Sequence, residues 1–216
     1  MSQTVIPNTS KGQRTRALIL ETAERVFAER GYAAARLEDV AAAVGIRRAS
    51  IVYYFKDKQE LYEAVEVRIY DALVAATAAR LAGAATPTER LLRLIDSWLD
   101  FMTSRPNVPR LILRTIADAY PVGSNPVQYS GAALALWEGV VREGQSSGAF
   151  RPIDPIHLLH LIGSAILLYG VSADMVGEGR RYEPTAPVAL EPFRQFLHQA
   201  ALSAVAPIAG PSGAQA

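Results

Sequence analysis

Residues 31–65 read GYAAARLEDVAAAVGIRRASIVYYFKDKQELYEAV, and the spacing of apolar residues in this stretch decides the fold. Leu37, Val40, Ala41 and Val44 recur at intervals of three and four, Gly45-Ile46 interrupts them, and Ile51 and Phe55 follow four apart. The pattern predicts two short helices, 37–44 and 48–55, joined by a tight glycine turn. A longer helix is expected before them, over 12–30, with Ala17, Leu20, Ala23, Val26 and Phe27 on one stripe. Gly31 then stands where a left-handed C-terminal cap is wanted. Three helices in this order make a helix-turn-helix when apolar side chains fix the crossing, and Leu37, Val40, Ala41, Val44, Ile46, Ile51 and Phe55 supply them. Turning Ile51 and Phe55 inward rotates Ala49 and Tyr53 to the opposite face, with Ser50, Val52 and Lys56 beside them. That face is the one expected in a DNA major groove.

The charge agrees with a polyanionic partner at this end. The chain has 216 residues and a formal net charge of +1. The first 62 residues nevertheless carry +3 and the remainder −2, with all three lysines in the positive part. Cysteine is absent, which excludes disulfides, thiolate metal sites and cysteine nucleophiles. Residues 1–16 contain no apolar run of signal-peptide length, so a cytoplasmic location is expected. The segment 156–171 is apolar but only 16 residues long and holds His157 and His160, so it reads as a buried helix and not a membrane span.

Downstream, Asp57 and Glu60 form a capping box that opens a long helix through Leu61, Val65, Ile69, Leu73 and Ala76. Thr86-Pro87-Thr88-Glu89 starts another, over 87–104, with Leu91, Leu92, Ile95, Trp98, Leu99 and Met102. Four more are expected at 108–120, 126–147, 155–176 and 190–206, the second and third opened by Asn125-Pro126 and Asp154-Pro155. The loop 177–188 is polar, and 207–216 reads as a disordered tail. The fold class is therefore all-α, with about nine helices.

The stretch quoted above resembles the DNA-binding domain of TetR-family regulators, whose pattern combines a Gly-Tyr, an acid-Val-Ala, a Gly-Ile turn, an aromatic-x-aromatic-Phe and a Lys opening the next helix. The resemblance implies a DNA-binding domain over 13–73, with the helix-turn-helix at about 36–55, and a ligand-sensing and dimerisation domain over 74–206. It also implies that Tyr53, Tyr54 and Lys58 meet phosphates or bases. Three positions depart from the pattern. Arg36 and Arg47 stand where Ser or Thr usually caps each short helix, and Val52 stands where a phosphate-binding Tyr is common. A lost hydroxyl cap costs about 1 kcal/mol, and a cation at a helix N-terminus adds ~0.3 to 1 kcal/mol. Since helix N-termini attract phosphates, Arg36 and Arg47 are expected to clamp the DNA backbone in place of the missing Tyr hydroxyl; the alternative is that they are merely poor caps on a solvated face. Arg48 is a candidate for guanine, Ser50 for either base, and Ala49 or Val52 for a thymine methyl; for each, a plain surface role is equally in keeping with the sequence.

The helix at 155–176 is apolar nearly all round, and the last helix has a stripe too apolar for an exposed terminal segment. Leu158, Ile162, Ala165, Ile166, Phe193, Phe196, Leu197, Ala200 and Ala204 are expected to form a four-helix interface with a second subunit, as TetR-like proteins build. Packing within one chain is the alternative. The resemblance also implies a largely apolar effector pocket, for which Trp98, Phe101, Met102, Ile112, Arg114, Tyr120, Tyr129, Trp137, His157, His160 and Tyr169 are the candidates, with Asp118 a further polar partner. Aromatics at helical spacing equally make a plain core. No third ligand accompanies His157 and His160, so no metal is expected, and no cofactor is implied. The expected function is a homodimeric, sequence-specific DNA-binding regulator, a repressor released by a small molecule. An activating or ligand-independent regulator is the alternative, followed by a helical small-molecule-binding enzyme, although GxSxG, HExxH and P-loop motifs are absent from the sequence.

Overall fold

The computed structural model describes residues 11–117, 130–174, 177, 179 and 181–207, and among them nine helices and no strand. They are α1 (Lys11–Ala34), α2 (Leu37–Val44), α3 (Arg48–Tyr54), α4 (Lys58–Leu81), α5 (Pro87–Ser104), α6 (Asn107–Ala117), α7 (Gly131–Ser146), α8 (Pro155–Val171) and α9 (Pro187–Val205). The chain divides into two compact units, Met1–Arg68 and Ile69–Ala216. Among the described residues no helix is long and apolar enough to cross a membrane.

In the first unit, Ile19, Ala23, Phe27, Val40, Ala41, Ile51, Phe55, Leu61 and Val65 are all at most 3% exposed and form one small core. Burying each of the larger ones contributes about 1.5 to 3 kcal/mol. Ala41, 3% exposed, is small enough to let α2 come close to its neighbours, but Val44 and Ile46 are only half-buried because they flank the turn. That turn is a Schellman motif. Gly45 is left-handed (φ 77°, ψ 31°), Ile46 N–H donates to Ala41 O at 3.0 Å, and Gly45 N–H donates to Ala42 O at 3.2 Å. Gly31 differs from the expected left-handed cap. Its φ is 76° but its ψ is 164°, a region open essentially to glycine alone, and it kinks α1 so that one further turn follows.

Two helix starts are built alike, one in each unit. Asp57 Oδ1 accepts the Glu60 N–H at 2.9 Å, but the Glu60 carboxylate reaches past the cap residue to the Lys56 N–H at 2.7 Å. At α5, Thr86 Oγ1 accepts the Glu89 N–H at 3.1 Å and Glu89 returns to the Ala85 N–H at 2.8 Å. Each box is thus one residue longer on its return than the expected reciprocal pair.

In the second unit α5 packs on α7, α8 and α9, while α8 also touches α6, α7 and α9. The buried stripe of α4 continues through Leu73 and Thr77, and Ala76 is exposed. Thr77 and Ser97 share a buried hydroxyl hydrogen bond of 3.1 Å, which lets a polar residue hold a core position. Helix α8 ends at Val171, five residues before its expected end, because the following segment folds back: Tyr182 Oη donates to Tyr169 O at 2.7 Å and lies 2.9 Å from Ser172 Oγ. Helix α9 begins at Pro187, a proline at its first position, where 190 was expected. The expected residues 118–120 of the sixth helix, 126–129 of the seventh, Asn125 and the tail after 207 lie outside the described residues.

Candidate nucleic-acid interface

Helix α3 buries one side chain, Ile51, and presents the rest. Tyr53 is 83% exposed and Val52 40%, Arg48 and Ala49 are exposed, and Ser50 and Tyr54 are half-buried. Tyr53 and Tyr54 meet edge to face at 5.1 Å. The Phe55 ring anchors the far side of α3 in the core and carries the Arg16 guanidinium 4.9 Å from its centroid. A seven-residue helix held by two apolar anchors leaves Arg48, Ala49, Val52 and Tyr53 exposed.

The flanking cations differ in what already holds them. Arg36 and Arg47 are exposed N-cap residues of α2 and α3 in extended conformation. A guanidinium has no acceptor, so neither can receive the orphan N–H groups that a Ser or Thr would take. Half of the α2 cap is recovered in the other direction, by the Arg36 N–H donating to Asp39 Oδ2 at 3.0 Å. Arg48 Nε pairs with Glu38 Oε1 at 2.7 Å, both side chains 60% exposed. Lys56 is exposed. Lys58 is engaged elsewhere: its ammonium donates to the carbonyl oxygens of Tyr32, Ala33 and Ala35 at 2.8, 3.3 and 3.1 Å and sits 4.4 Å from the Tyr32 ring centroid. Glu38 and Tyr32 escaped the sequence reading because each partnership joins residues ten or more apart, on different helices, for which no periodicity gives a signal.

In the second unit Trp98, Phe101, Met102, Ile112 and Trp137 are each at most 8% exposed. Trp98 and Trp137 lie 5.4 Å apart, and Trp137 Nε1 donates to Pro155 O at 2.9 Å. The Trp98 indole N–H is buried without a partner among the described residues. Arg114 is half-buried. Tyr169 is stacked between Phe193 at 4.1 Å and Tyr182 at 4.7 Å; its hydroxyl is buried without a partner among the described residues, and desolvation raises its pKa. Asp118, Tyr120 and Tyr129 lie outside the described residues. His157 and His160 do not face this interior. They share the outer stripe of α8 with Leu161, Ser164 and Leu168, since positions three and four apart on a helix lie on one face.

The same rotation corrects the subunit-contact expectation. Leu158, Ile162, Ile166 and Leu197 are at most 1% exposed within their own chain, so they have no surface left for a partner. Ala165, Phe193, Ala200 and Ala204 are half-buried, and Phe196 is 62% exposed. The faces that α8 and α9 leave open are carried instead by Leu161 (51% exposed), Leu168 (60%) and Phe196. Among the described residues no three acidic or histidine side chains are grouped to hold a metal.

A glycine-turned pair of short helices with an exposed, tyrosine-bearing second helix, followed by a separate helical unit, defines a helix-turn-helix DNA-binding protein. Residues 19–65 match the family of bacterial regulatory proteins, tetR family, and residues 87–200 match the tetracyclin repressor-like C-terminal domain. The chain belongs to the TetR family of transcriptional regulators and is a DNA-binding regulator. It is 29% identical to the HTH-type transcriptional regulator RutR of Escherichia coli over 187 residues, 82% of this chain and 85% of RutR. It is 28% identical over 153 residues to the HTH-type transcriptional repressor NicS of Pseudomonas putida, covering 69% of this chain and 71% of NicS. Among solved structures, a tetR-family regulatory protein from Rhodococcus superposes with a TM-score of 0.70 at 17% identity, over 92% of this chain and 98% of that one. The transcriptional regulator FadR from Bacillus subtilis, in complex with stearoyl-CoA, gives 0.68 at 18% identity, over 88% and 98%.

Proposed function

We propose that the protein is a homodimeric repressor, not an enzyme, whose hold on operator DNA is released by a small, largely apolar ligand bound in its C-terminal unit. The observation that carries the reading is the outward face of α3, with the exposed guanidinium-bearing residues Arg36 and Arg47 at the N-caps of α2 and α3. Tyr53, Tyr54, Ser50, Ala49 and Val52 supply the surface that meets bases and sugars, with Lys56 beside it. Arg48 reads guanine after parting from, or while leaning on, Glu38. Two such faces in a dimer, about 34 to 36 Å apart, match successive major grooves. The outer faces of α8 and α9, with Leu161, Leu168 and Phe196, support self-association. The Trp98 N–H, buried in an aromatic interior without a partner among the described residues, supports an apolar ligand fixed by few hydrogen bonds. NicS is called a repressor and the FadR structure holds an acyl-CoA, which agree with this reading. Ligand releases DNA only if it binds the two states of the dimer unequally.

The test is selection of bound fragments from random duplexes, followed by salt titration with the selected duplex. The double variant Arg36→Ser, Arg47→Ser is expected to bind more weakly and, over two half-sites, to flatten the salt dependence by about 0.9 per lost phosphate contact. An unaltered affinity and slope would remove the clamp, and the absence of any selected sequence would remove the reading as a whole.

A further inference from the structure

We propose that Lys58 is a positioning residue for DNA recognition: its ammonium ties the last turn of α1 to the first turn of α4, and it is not a phosphate ligand. The inference rests on the DNA-binding reading of this unit and departs from the role that the family resemblance gives this lysine. An ammonium has three N–H donors. In Lys58 all three are matched by carbonyls at the end of α1, those of Tyr32, Ala33 and Ala35, and the Tyr32 ring covers the cation.

Elementary electrostatics explains why the side chain goes there. Lys58 is the first residue of α4, where a cation opposes the helix dipole, while the C-terminal carbonyls of α1 carry the opposite partial charge. Those carbonyls need a donor, because α1 ends at Ala34 and the Arg36 N–H, which would have served Tyr32 had the helix continued, is turned to Asp39. Around the joint, Tyr62 of α4 meets Phe27 edge to face at 4.9 Å and Tyr32 at 5.1 Å, so the ammonium closes an aromatic cluster shared by both helices. The residues that follow this turn, Arg36 and then α2, bear the proposed phosphate clamp. Freedom at the joint therefore moves the reading head, although Lys58 touches no DNA.

Lys58→Met keeps the unbranched apolar stem to within one atom and removes its donors. Against the duplex selected by the wild-type protein, we expect a loss of about tenfold in specific affinity, an unchanged salt slope, unchanged affinity for a scrambled duplex, and a lower melting temperature of the free protein. Lys58→Arg, which retains donors and charge, is expected to restore part of the specific affinity. A salt slope reduced by about 0.9 per subunit would show a phosphate contact and overturn the proposal. A lower melting temperature with unaltered specific affinity at low temperature would show a purely structural lysine and overturn it as well. Should the Met variant not fold, the wild-type protein decides. The chain has only three lysines, so the side-chain ammonium signal of Lys58 is assignable by ¹⁵N NMR. It is expected to be protected from exchange in the free protein and unmoved by the selected duplex; a shift like that of a phosphate-bound ammonium overturns the inference. Wild-type binding to the selected duplex stands or falls separately, so loss of the DNA-binding reading is distinguishable from loss of this one.

Discussion

Lys58 and Arg30 apart, which bind the first unit to itself, the cations around α3 and those of the second unit differ in what already holds them. In the first, Arg36, Arg47 and Lys56 lie exposed around a helix with one buried side chain, and the pair Arg48–Glu38 is open to solvent. In the second, cations bind the protein to itself. Arg194 of α9 is 15% exposed and grips two residues of α5, Asp96 at 2.8 Å and Asp100 at 2.6 Å, while Arg80 of α4 pairs with Asp100 and His198 Nε2 lies 2.8 Å from Asp96. Burial disfavours the Arg194 charge, yet the carboxylates, Asp100 ahead of Asp96, more than offset it and raise its pKa. Arg151 donates through Nε to Ala204 O and closes the end of α9. A cation already satisfied inside the fold stabilises it and is lost to any outside anion; a cation left in water contributes little to stability and remains available.

The largest effect that tests this contrast is at Arg194. Arg194→Met leaves Asp96 and Asp100 close together with Arg80 as the remaining cation beside them, and is expected to cost about 2 to 3 kcal/mol, discounted from the range for fully buried pairs because Asp100 remains partly wet. Arg48→Met, at an exposed pair, is expected to change stability by no more than about 0.5 kcal/mol while weakening operator binding. Chemical denaturation of both variants checks the difference, and equal losses would break the contrast.

Glycines sharpen it at a second level. Gly144 of α7 faces Phe150 so closely that a Cβ would stand 2.0 Å from the ring, so Gly144→Ala is expected to cost about 1 to 3 kcal/mol through overpacking. Gly45, in the turn between α2 and α3, has open space around it but a φ of 77°. Gly45→Ala is expected to cost ~1 kcal/mol through the backbone alone. Thermal melts should show the larger loss at Gly144, and a loss at Gly45 relieved by Asn, which tolerates the left-handed region.

The smallest effect concerns the two similar helix starts. The Glu89 carboxylate lies below its ordinary value of 4.5, first because it accepts the Ala85 N–H and then because Arg93 donates to it. Its folded-state pKa is lowered, so its contribution is present above 4.5 and is lost as the pH falls through the depressed value. Glu89→Gln should therefore lower the melting temperature slightly at neutral pH, and the gap to wild type should close in acid. A gap independent of pH would refute the account.

The helical class, the glycine turn, the inward placement of Leu37, Val40, Ala41, Ile51 and Phe55 and the outward placement of Ala49, Val52 and Tyr53 are legible in the sequence. These follow from three- and four-residue spacings and from caps, which are properties of neighbouring residues. Packing settles which face of α8 and α9 turns inward, that Thr77 and not Ala76 continues the α4 stripe, and that Tyr182 meets the end of α8. A helix apolar nearly all round carries no periodic mark of its buried side. For the same reason spacing alone does not separate Leu158, Ile162, Ile166 and Leu197, buried within the chain, from the exposed Leu161, Leu168 and Phe196. The fate of each cation was equally hidden, since Glu38 with Arg48 and Lys58 with the end of α1 are joined across long stretches of chain. Local patterns fix what a segment becomes, and packing between distant segments fixes which of its side chains remain free to act.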